Sequence, residues 1–157
     1  MDSFSEYKPY FDININNIVK QTMSDKELQA QMIRLNQEQL DKGLDSLGQR
    51  IESLSAIQQN SGYPYSMLTV KLRGEQGLQV DNVDLKDTGA FWDSMDVNVS
   101  DTETEIIADW NIHGEDIREN FSRNFEFLGL QDKKLNEFIQ WYFLDLFEQL
   151  LKQSIIK

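Results

Sequence analysis

The stretch that decides the fold is residues 95–110, Met95-Asp-Val-Asn-Val-Ser-Asp-Thr-Glu-Thr-Glu-Ile-Ile-Ala-Asp-Trp110. Met95, Val97 and Val99 alternate with Asp96, Asn98 and Ser100, a period of two that puts one face of an extended chain on a core and the other in water. Asp101-Thr102-Glu103 is a polar turn, after which Ile106, Ala108 and Trp110 again fall on one face. The pattern predicts an antiparallel hairpin with strands at 95–99 and 104–110.

A single hairpin buries too little to stand alone, so its apolar face needs helices, and both flanks offer them. Ser24 and Glu27 have capping-box spacing and predict a helix start. Leu28, Met32, Leu35, Leu40, Leu44, Leu47, Ile51 and Leu54 follow as an apolar stripe opposite a Gln, Glu and Lys face. Gly43 and Gly48 predict a break between them. On the other side, Leu135, Phe138, Ile139, Tyr142, Leu146, Phe147 and Leu150 give a broad apolar face to a helix over about 131–153. Trp141, Phe143 and Leu151 lie beyond one narrow stripe, which predicts a helix buried on two sides, against its own sheet and against a partner subunit. With Trp92 and Trp110 they form the candidate subunit-interface set.

Between these blocks, Ser61-Gly62-Tyr63-Pro64 is a turn. Tyr65 to Arg73 fits a short helix carrying Met67, Leu68, Val70 and Leu72, and the same letters fit a strand; we take the helix. Leu78 to Leu85 reads as extended chain and Asn111 to Asn124 as irregular. Residues 1–22, with Tyr7, Tyr10, Phe11, Ile13 and Ile15 among Asn and Asp, read as an arm, leaving 23–157 as a single domain. The expected class is α+β: a small antiparallel sheet packed by a long N-terminal helix and an amphipathic C-terminal helix.

Composition narrows the function. The 157 residues include 39% hydrophobic and 27% charged side chains, enough for one folded core. There is no cysteine and one histidine, His113, so disulfides and thiolate or imidazole metal sites are not expected, and no cofactor is. The opening residues do not read as a secretory signal, and the apolar stretch from Phe138 to Ile156 is broken by charged and amide residues, so no membrane span is expected. The net charge of -12, from 27 acidic and 15 basic residues, opposes sequence-specific nucleic-acid binding. It suits a solvated surface, a wall that DNA passes without sticking, or an acidic mimic of DNA that occupies a DNA-binding enzyme.

Three features carry a possible chemistry. Asp87-Thr88-Gly89-Ala90 matches the tetrad of aspartic proteases, where two aspartates share a proton. Lys86 precedes it and no second copy exists within the chain, so only a homodimer would supply the partner, and a turn with glycine at a special angle is the better reading. The acidic run Asp81, Asp84, Asp87, Asp93 and Asp96 has the oxygens a hard cation wants without EF-hand spacing, and reads as a solvated loop. His113 has no thiol partner, and phosphate-loop glycine spacing is absent, so no enzyme is expected.

The order of these elements resembles the tail-completion and head–tail connector (neck) proteins of tailed bacteriophages. The resemblance rests on Tyr65-Ser66-Met67-Leu68-Thr69-Val70-Lys71, on Leu85-Lys86-Asp87-Thr88-Gly89-Ala90-Phe91-Trp92-Asp93-Ser94, on the hairpin, and on Phe125-Glu126-Phe127-Leu128-Gly129-Leu130 leading into the last helix. It covers roughly Thr69 to Leu150; the long Gln-rich first helix and the aromatic last helix depart from it. It implies a structural virion subunit in a sixfold or twelvefold ring, contacting portal, adaptor or tail proteins around passing genomic DNA. It also implies assembly in the host cytoplasm and residence in the virion.

Overall fold

The structure is a computed structural model that describes residues 13–121 and 125–155. Its first helix, α1 (Ile15–Met23), occupies part of the segment read above as an arm, and residues 1–12 lie outside the described residues. Asn14 caps α1 by accepting from the Asn17 amide, and Ile18, Thr22 and Met23 are buried. The expected cap of the next helix shifts by one residue. Ser24 ends α1, donating its hydroxyl to the Lys20 carbonyl, and Asp25 caps α2 (Lys26–Asp41) by accepting from the Leu28 amide at 2.9 Å. A carboxylate in that place also meets the positive end of the helix dipole.

The helix α2 ends before Gly43, as the glycines predict, and the chain turns over residues 42–53. Gly43 has φ +70, and an added Cβ would meet Asn82 Cβ at 2.9 Å, so the position demands glycine twice over. Two short helices follow, α3 (Leu54–Gln59) capped by Ser53 and α4 (Met67–Glu75) capped by Ser66. One turn of helix, α5 (Ala90–Asp93), leads into β1 (Asp96–Val99) and β2 (Thr104–Ile107), paired antiparallel with Val97 opposite Ile106. The second strand stops at Ile107, short of the expected Trp110. The stretch read as irregular begins instead as a small hairpin, β3 (Asn111–Ile112) and β4 (Glu115–Asp116), closed through His113 and Gly114 at positive φ. The last helix runs without interruption as α6 (Asp132–Phe138), a π segment at Ile139–Phe143, and α7 (Leu144–Ile155).

The fold is α+β with two core clusters. In one, Leu40, Ile51, Tyr65, Val83, Phe91, Met95, Phe125 and Phe127 pack together. In the other, the inward face of the hairpin, Val97 and Ile106, meets Leu28, Met32 and Leu35 of α2 and Phe138 of α6. The sheet is thus covered by the N-terminal and C-terminal helices, as the sequence predicts. The amide face of α2 is not simply solvated. Asn36 Nδ2 donates to the Phe127 and Gly129 carbonyls at 3.0 and 2.9 Å, and Gln39 donates to Gly129 while accepting from the Gln131 amide. These buried amides fix the segment that aims the last helix, since an unpaired buried backbone group is costly.

Candidate assembly surfaces

The interface candidates separate into two groups. Trp92 donates its indole NH to the Asp84 carbonyl at 2.8 Å, with the Lys86 ammonium 4.8 Å from its ring centre. Trp110 packs between Phe91 and Phe127, with ring centroids 4.9 and 5.6 Å away, under the Arg118 guanidinium. Both therefore spend much of their surface against the chain's own core. Phe143 is half-buried, packing against the second cluster and stacking on Phe147. Trp141 is 71% exposed, and Leu151 is half-buried on the same outer side of the helix.

That outer side is a continuous face. Trp141, Leu144, Glu148, Leu151 and Ile155 recur at spacings of three and four, so they line one side of the helix. Phe138, Tyr142 and Leu146 point the other way, into the second cluster. Leu144 and Ile155 are 41% and 44% exposed, a large apolar display for a helix already anchored on its inner face.

A second exposed face lies on α4 and was not anticipated. The helix forms, as expected for Tyr65 to Arg73, but of the apolar residues it carries Met67, Leu68 and Leu72 are 53%, 66% and 48% exposed, while Val70 and Arg73 face inward. The phase of α4 is set by Arg73. Its guanidinium holds both carboxylate oxygens of Asp84 at 3.0 Å, donates to the Gln79 and Lys86 carbonyls, and lies 4.7 Å from the Tyr65 ring centre. Asp84 also accepts from Gln79 and from the Lys86 amide. Burial, then the Asp84 charge, pushes the Tyr65 phenol well above its usual range. A nine-residue helix cannot bury Arg73 and its three large apolar residues together, and the paired charge takes the inside.

Beside this knot lies a cleft of about 500 Å³, with Leu72, Arg73, Asp87, Thr88, His113 and Phe121 among its lining residues. Gly89 at φ +89 caps α5, and Thr88 accepts from the Ala90 amide, so the tetrad forms the turn into a helix. Asp87 is exposed there. Asp84 of the acidic run is committed to Arg73, and Asp81, Asp87, Asp93 and Asp96 are exposed. Among the described residues no three His, Asp or Glu side chains gather to hold a metal ion. No described helix is long and apolar enough to cross a membrane.

Neither family models, nor curated proteins, nor solved structures give a match to this chain.

Proposed function

We propose that the chain is a structural subunit of a ring at the head–tail junction of a tailed bacteriophage, a non-enzymatic connector or tail-completion component through which DNA passes. The observation that carries the reading is the outer face of the last helix, which displays Trp141 and Leu144 while the opposite face buries Phe138 and packs Tyr142 and Leu146 against the chain's own second cluster. A helix apolar on both sides fits burial between a core and a neighbour. The connector-like order of α4, the Asp-Thr-Gly turn, the hairpin and the final helix supports the same assignment. The acidic balance suits a surface along which DNA slides.

The test is native mass by light scattering over a concentration series, with electron microscopy of the heaviest species. A discrete sixfold or twelvefold ring is expected. A protein that stays monomeric across the series overturns the ring.

A further inference from the structure

The two exposed faces carry complementary residues at three matching positions. On α4, Met67, Lys71 and Glu75 follow at intervals of four; on the last helix, Leu144, Glu148 and Lys152 follow at the same interval with the charges reversed. All four charged side chains are exposed, and within each helix they form a loose ion pair, 4.0 Å for Lys71 with Glu75 and 3.5 Å for Glu148 with Lys152. Flanking them are Leu68 and Leu72 on one helix and Trp141 and Leu151 on the other.

Resting on the ring reading, we propose that α4 of one copy seats on the outer face of the last helix of the next copy, the two helices running parallel. In that register Met67 meets Leu144, Lys71 meets Glu148, and Glu75 meets Lys152. Two different patches joined head to tail make a heterologous contact, which closes into a ring when the rotation per subunit permits. The occupant is a second copy because both halves of the charge code are on this chain. Self-pairing fits the apolar residues less well. An antiparallel pair of α4 helices matching Lys71 to Glu75 sets Met67 opposite residue 79, beyond the helix end at Glu75. An antiparallel pair of last helices matching Glu148 to Lys152 sets Leu144 opposite residue 156, beyond Ile155, where α7 ends.

The absence of native cysteine makes the test direct. In the full chain carrying both Met67→Cys and Leu144→Cys, a short bismaleimide is expected to give a ladder of covalent oligomers ending at the ring's order. Each single variant alone should give no covalent dimer, and an equal mixture of the two singles should give dimers. Lys71→Glu and Glu148→Lys should each raise the half-assembly concentration about tenfold, and combining them in one chain should restore it. Rings that form without the ladder overturn this contact and leave the ring reading standing. Dimers from either single variant overturn it in favour of a symmetric pair, and a monomer at every concentration overturns both.

Discussion

Arg73 and Asp84 are the residues on which the orientation of α4 turns. Their side chains are 7% and 4% exposed, so the pair is desolvated, and removing one partner strands the other charge. Asp84→Ala should therefore cost about 3 kcal/mol or more in urea unfolding, whereas Arg73→Met combined with Asp84→Leu should recover most of that loss. A loss below about 1 kcal/mol for Asp84→Ala would place the pair among ordinary surface bridges. Lys134 works differently. It donates to Glu38 of α2 at 2.9 Å and holds that carboxyl below its ordinary value of 4.5, so the folded protein binds fewer protons there than the unfolded chain. The stabilisation is complete above pH 4.5 and is lost as pH falls through the lowered value. Because Glu38 is 39% exposed and solvent screens the pair, Lys134→Met should cost about 0.5 to 1 kcal/mol at neutral pH. Thermal unfolding across the acid range checks it: the gap between the two proteins should close below pH 4.5, and a gap that persists unchanged refutes the linkage.

Among the elements, the π segment at Ile139–Phe143 sets how the last helix can be apolar on two sides. A π turn is one extra residue inserted into an α-helix, so it changes the rotation between the flanking turns. Deleting the exposed Gln140 should convert the segment to regular helix and keep α7 seated on α1 with little loss in melting temperature. Deleting Gln149 within α7 should instead throw Leu150 and Ile155 out of phase and destabilise the helix end. If both deletions destabilise equally, the π turn is required and the insertion view fails. The extent of this helix was legible because one apolar side chain in three or four persists from Leu135 to Leu150, and the hairpin was legible from strict alternation around Val97 and Ile106. The α4 face was not, because Arg73 looks like a surface residue until Asp84, eleven positions on, is known to meet it. The start of α2 was misplaced because Ser24 and Asp25 are both good caps, and packing decides between them. The helix α1 was missed because Asn14, Asn16 and Asn17 read as turn formers, although Asn14 serves as a cap. Trp92 and Trp110 carried an interface signal by residue type, and only the positions of Asp84, Phe91 and Phe127 reveal how much of each is used internally.

For the whole molecule, a charge of -12 decides how the proposed ring would meet DNA. Basic residues are interleaved with acids across the surface: Lys20 pairs with Asp101, Arg118 with Asp116, Lys134 with Glu38 and Glu137, and Lys152 with Glu148. With 27 acidic against 15 basic residues the net field repels a phosphate backbone, so no strong salt-dependent attraction to duplex DNA is expected. The same pairing interrupts the rows of carboxylates that a DNA mimic presents to its enzyme, which sets a connector wall apart from an inhibitor. The expected outcome is that rings retain no duplex DNA in filter binding at physiological salt and show no increase in retention as salt is lowered. Retention that climbs steeply at low salt would reveal a basic track and refute a passive wall. Tight capture of a DNA-binding enzyme by the free subunit, competed by duplex DNA, would favour the mimic, because a wall that lets DNA slide has no reason to match a DNA-binding cleft.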